Sequence, residues 1–96
     1  MVKTPVAKYP EFTIYYEDYN GSTFYHCDVY KWDKEVRNKY LDVHNKLTAA
    51  HSHPMYALVD NKKLAKFAFL IGFKPYQEVS CTDGLTRHVW IYNGED

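Results

Sequence analysis

The sequence predicts an α+β domain: a mixed, mainly antiparallel sheet with two helices, in the order β-β-α-β-α-β-β. Three observations carry this expectation. Asn20-Gly21 separates two runs rich in β-branched and aromatic residues, the strongest short-range hairpin signal. Val36, Tyr40, Val43, Leu47 and Ala50 then recur at alternating spacings of four and three, which is one face of a helix. Beyond Pro54 come a short apolar run, a second helical pattern and a closing hairpin.

Residues 1–10 hold Pro5, Pro10 and little periodicity, so they are expected as a leader, ordered only if something pins it. Residues 11–96 then form one domain. The first hairpin pairs 12–19 with 22–30. Asp33 is the expected N-cap of a helix that stops near His51, before Pro54. Residues 55–59 read as a strand buried in the middle of the sheet. Asp60 or Asn61 caps the second helix, whose buried face is Leu64, Phe67, Ala68 and Ile71. Gly72 follows as its left-handed terminator. Strands 75–81 and 86–92 flank a turn at Asp83-Gly84. The strand–helix–strand over 22–30, 33–51 and 55–59 should be a right-handed crossover between parallel strands.

Ninety-six residues at 46% hydrophobic content suit one domain with a thin core. The aromatic share is 18%, with ten Tyr and five Phe, so rings must fill much of that core. Twelve basic side chains balance twelve acidic ones, which argues against nucleic-acid binding by bulk electrostatics. Lys62, Lys63 and Lys66 form the best basic cluster, read here as a solvated helix face. No apolar run is long enough for a signal peptide or a membrane span, so a cytoplasmic location without a membrane partner is expected. Cys27 and Cys81 are then expected as thiols.

Val59-Asp60-Asn61, then Leu64, Phe67 and Ala68, then Ile71-Gly72-Phe73, resembles a late segment of the GNAT-type acetyltransferases. In that family a strand ends in an Asn, a helix follows, and Gly-Phe leads into the next strand. The resemblance covers about residues 12–92 and corresponds to the C-terminal part of a GNAT domain; the family's first strand and first two helices have no room here. It implies acetyl-CoA as cofactor, with its pyrophosphate on a Gly-rich strand–helix turn. The matching segment, Tyr30-Lys31-Trp32-Asp33-Lys34-Glu35-Val36-Arg37, contains no glycine. If acetyl-CoA binds, Trp32, Lys34, Arg37 and Asn61 are the residues the resemblance assigns to it. Many members also place an acidic Tyr seven residues after the Asn. Here that position is Ala68, which has no proton to donate; Tyr56 and Tyr76 are the neighbouring substitutes. The small GNAT-like proteins of short-tailed bacteriophages are similar in both respects.

Other constellations are weaker. His44, His51 and His53 gather near one helix end, an arrangement for a metal or for favourable charge at a helix C-terminus; no metal is expected. His26 and His88 stand apart from that group. His88, Asp83 and Ser80 or Cys81 share a hairpin but no nucleophile elbow accompanies them.

Tyr15, Tyr16, Tyr19, Phe24 and Tyr25 divide between two sheet faces. One face packs on helices, and an open Tyr-rich face is what interface hot spots are made of. Tyr15, Tyr16, Tyr19, Tyr25 and Trp32 are therefore the candidate interaction surface. A sheet edge left unpaired near 12–19 would invite a homodimer or another chain. The expected function is a non-catalytic GNAT-like protein without a cofactor, binding another protein such as a host enzyme of a phage. A minimal acetyl-CoA-dependent N-acetyltransferase and a virion structural protein are the alternatives.

Overall fold

A computed structural model describes residues 3–51 and 54–93. Its elements are β1 (Thr4–Lys8), β2 (Phe12–Tyr19), β3 (Ser22–Val29), α1 (Lys34–Ala50), β4 (Met55–Leu58), α2 (Lys62–Leu70), β5 (Lys74–Ser80) and β6 (Thr86–Tyr92). The fold is α+β, with one mixed and mostly antiparallel sheet in the order β1-β2-β3-β4-β6-β5 and two helices.

The hairpin of β2 and β3 turns on Asn20 at φ 50° and Gly21 at φ 81°. Both central residues are left-handed, as the twist-matched two-residue turn requires. The turn sets Tyr19 opposite Ser22, and every later pair follows from it, including Tyr16 with Tyr25 and Tyr15 with His26.

The leader expected over residues 1–10 holds a strand. β1 pairs antiparallel with β2, and Val6 and Ala7 pack against the core. Pairing with β2 is what pins it, and the edge expected to be open near 12–19 is thereby covered. The register slips by one residue between Pro5 and Ala7, where a proline has no N–H to give. A matching slip separates Pro75 from Gln77 in β5, at the other rim of the sheet.

Asp33 caps α1, its carboxylate accepting the Val36 N–H at 2.9 Å. The buried side chains of α1 are Val36, Tyr40 and His44. Val43 and Leu47 are half-buried and Ala50 is exposed, so the stripe expected through Ala50 turns instead onto His44. Asn61 caps α2, accepting the Leu64 N–H at 2.9 Å. Gly72 ends it at φ 97°. A side chain there would meet the Tyr92 ring: a Cβ would lie 2.8 Å from Cε2.

Both helices lie on one side of the sheet. Phe67 of α2 packs edge-on to Tyr40 of α1 at 5.1 Å, and His44 bonds the Ile71 carbonyl just past α2. Phe12, Ile14, Tyr25, Met55, Val59, Ala68, Ile71 and Phe73 complete the core between sheet and helices. β3 and β4 are the parallel pair, registered at Thr23 with Met55 and Phe24 with Tyr56. Past those two pairs β3 runs on from Tyr25 to Val29 without β4 beside it.

Candidate functional site

Three places concentrate chemistry-bearing residues: the polar centre of the core, a cleft beside α2, and the sheet face that no helix covers.

In the core, His44, Tyr25 and Tyr40 form a hydrogen-bonded chain with a determined direction. The Ile71 carbonyl only accepts, so His44 Nε2 donates to it, at 2.7 Å. Burial holds the His44 pKa below its ordinary value and the ring neutral, which leaves Nδ1 an acceptor. The Tyr25 hydroxyl therefore donates to Nδ1 at 3.0 Å, and the Tyr40 hydroxyl donates to Tyr25 at 2.6 Å. Burial pushes both phenol pKa values up, so both stay protonated. These side chains are 0–5% exposed. Substrate has no access to them, and the chain is a structural network.

One expectation is corrected here. Tyr25 was assigned to the interaction surface, but the Asn20-Gly21 register puts it opposite Tyr16 on the helix side, where it is buried. His44, which the sequence sets near His51 and His53, has both ring nitrogens engaged inside the core. His51 caps the end of α1, and His53 lies outside the described residues. Among the described residues no three metal-ligating side chains come together.

The cleft has a volume of about 790 Å³. One wall is the end of β3 and its loop: Cys27, Val29, Tyr30, Lys31 and Trp32. The other is α2, presenting Lys63, Leu64, Lys66, Phe67 and Leu70, with Asn61 at its head. Trp32 leans edge-on against Phe67 at 5.4 Å and Tyr40 at 6.0 Å, bridging the two helices. Of the four residues tied to acetyl-CoA, Trp32 and Asn61 line this cleft; Lys34 and Arg37 lie outside it on the exposed surface of α1. Leu64, expected on the buried face of α2, lines the open cleft instead and is 42% exposed. Burial raises the Cys27 thiol pKa, which makes it a poor nucleophile.

Two features oppose phosphate binding at α1. The Asp33 carboxylate already accepts the Val36 N–H, an amide an anion would need. That carboxylate also places negative charge where the phosphate would sit. Ala68 is buried in the core, 6% exposed. Tyr56 and Tyr76 meet at a tilt, 5.8 Å apart, on the opposite side of the sheet, so neither reaches the position of Ala68.

The third place is the uncovered face. Strand alternation and register put Tyr15, Glu17 and Tyr19 of β2 there, with Phe24 and His26 of β3, Tyr56 and Leu58 of β4, and Ile91 of β6. Tyr19 meets Phe24 at 6.2 Å, Phe24 meets Tyr56 at 5.8 Å, and Tyr56 meets Tyr76 of β5 at 5.8 Å. An aromatic row thus crosses from β2 to β5, four strand spacings or about 19 Å. Its ends are the most open, with Tyr19 at 47% and Tyr76 at 53% exposure. Tyr15 stands beside the row, its hydroxyl donating to Asp28 at 3.1 Å, and that carboxylate raises its pKa. His26 and Glu17 meet at 2.8 Å on the same face. Tyr16, also expected on the interaction surface, points instead to the helix side because it pairs with Tyr25; it packs near Tyr25 and His51, and burial raises its pKa.

The sequence reading missed Tyr56, Leu58, Tyr76 and Ile91 as members of one surface. β4 and the closing hairpin join the first hairpin only through the sheet order, which periodicity does not report. The residues of the closing hairpin do not assemble a hydrolytic site: His88 faces Glu78 at 3.5 Å, and Asp83 faces Arg87 at 3.6 Å.

No family model, no characterised protein and no solved structure matches this chain. Among the described residues no helix is long and apolar enough to cross a membrane.

Proposed function

We propose that this protein is a non-catalytic GNAT-like domain that works by binding another protein through its uncovered aromatic face. The observation that carries the reading is the row Tyr19–Phe24–Tyr56–Tyr76, which none of the described elements covers. Rigid tyrosines with wet hydroxyls and apolar bodies supply contact area at low entropy cost. The family assignment is supported by Asn61 capping α2 and by Gly72-Phe73 leading from it into β5. The similarity to small phage proteins points to a host enzyme as the partner and the cytoplasm as the location.

Loss of the acetyl-transfer chemistry is supported by Ala68 and by the carboxylate of Asp33 at the head of α1. The acetyltransferase alternative keeps one observation in its favour, the cleft that brings Trp32 and Asn61 together. Titration with acetyl-CoA separates the two readings. A tightly bound cofactor would raise the melting temperature by several degrees, whereas the binding reading expects no shift at millimolar cofactor. The surface is tested by comparing the wild type with a Tyr19→Ser/Tyr76→Ser variant in affinity capture from host extract. A specific partner retained by the wild type should be lost by the variant, and equal retention would refute the surface.

A further inference from the structure

We propose that the cleft between the β3–α1 loop and α2 is a second recognition site, which takes a short extended peptide of alternating acidic and apolar residues. Its apolar part is open: Val29, Tyr30, Trp32, Leu64 and Leu70 are each more than a third exposed, though all are large side chains. Its polar part is cationic. Lys63 and Lys66 stand on the same stripe of α2 as Phe67 and Leu70, with Lys31 on the facing wall. Lys31 lies 3.8 Å from Asp33, but among the described residues no carboxylate pairs with Lys63 or Lys66. An apolar trough rimmed by unneutralised ammonium groups is complementary to a ligand with an apolar core and an acidic border.

The geometry favours a peptide over a phosphate-bearing ligand. The lysines sit on two walls and on successive turns of α2, so their charge is spread along the trough. The α2 N-terminus at the head of the trough, which could focus phosphate charge at one point, already gives its Leu64 N–H to Asn61, and the neighbouring α1 N-terminus is closed by the Asp33 carboxylate. The stripe from Lys63 to Leu70 rises about 10 Å, which matches about three residues of extended chain. That length holds one apolar side chain against Trp32 and Phe67, with an acidic residue on each side reaching the lysines. Trp32 supplies a flat indole wall, and Leu64, left uncovered by the rest of the fold, becomes part of the floor.

Trp32 is also the reporter. In a Trp90→Phe background it is the sole indole, since the chain has two tryptophans. Its emission is to be followed against eight-residue synthetic peptides alternating Glu or Asp with Leu or Phe. Coenzyme A, inorganic pyrophosphate and an oligothymidylate are titrated in parallel. The expected result is a saturable change with the acidic-apolar peptides at tens of micromolar, weakened several-fold between 50 and 300 mM salt. A Lys63→Glu/Lys66→Glu variant should bind at least ten-fold more weakly, with its thermal unfolding unchanged because both side chains are exposed. If that variant unfolds, Lys63→Gln/Lys66→Gln takes its place. Saturation by coenzyme A or the oligonucleotide with none by the peptides overturns the proposal. So does peptide binding that the lysine variants leave intact, or silence toward every peptide of the panel.

Discussion

The two faces of the sheet use the same residue type to opposite ends. On the helix side, Tyr25 and Tyr40 are sealed, and each hydroxyl is placed in a chain that ends on a backbone carbonyl. On the uncovered side, Tyr19 and Tyr76 keep about half their surface in solvent, with ring neighbours only to the side. A tyrosine in the core is held by the partner of its hydroxyl, because an orphaned polar atom there is costly. Tyr19 and Tyr76 on the open face have no such constraint, and their rings remain available to another molecule. The count of aromatic residues therefore says little; what covers the ring and what meets the oxygen decide its role.

The sharpest way to break this contrast is Tyr25→Phe. It leaves His44 Nδ1 without its donor and the Tyr40 hydroxyl without its acceptor, at a cost of about 3 kcal/mol for the two groups. Urea unfolding measures it, and a loss under 1 kcal/mol would show that the chain is not structural. Next comes Gly72→Ala, which combines a left-handed backbone with a clash against Tyr92 and should cost about 2 kcal/mol. A neutral result would mean that Tyr92 moves freely under the end of α2.

The pH dependence of stability probes the same core. His44 has its pKa lowered by burial, so below the ordinary value of 6.5 the unfolded chain binds a proton that the folded chain resists. The contribution of the neutral ring is complete above that value and declines as pH falls toward the folded pKa. The slope is at most about 1.4 kcal/mol per pH unit. Chemical denaturation at successive pH values should show this fall, and His44→Gln should flatten it. The smallest stability effect belongs to the open face. Tyr19→Ser and Tyr76→Ser should each shift unfolding by about 0.5 kcal/mol or less, although they remove the ends of the aromatic row. A large loss from either would mean that the row serves the fold.

Much of this architecture was legible in the chain. Asn20-Gly21 fixed a hairpin and, with it, the register; counting outward from that turn already places Tyr25 across from Tyr16. Asp33, Asn61 and Gly72 marked helix ends because their side chains, or the lack of one, satisfy specific backbone needs. β1 was hidden because a short segment with two prolines has no period of its own and becomes a strand only by pairing with β2. His44 was hidden because an imidazole interrupts an apolar stripe without announcing whether it has partners. Trp32, Lys34, Arg37 and Asn61 were grouped by the resemblance, but only Trp32 and Asn61 meet in one cleft, because Lys34 and Arg37 lie on the exposed surface of α1. Leu64 obeyed the helical spacing, yet it faces the open cleft rather than the core.

The paired slips at Pro5 and Pro75 have a consequence for the molecule at high concentration. The outermost strands of the sheet are β1 and β5, and each carries a proline followed by an extra residue. A proline and a register slip in each outer strand are features that disfavour edge-to-edge growth of a sheet. For a chain with this many β-prone aromatic residues, that shifts the balance of association from backbone pairing toward contacts between side chains.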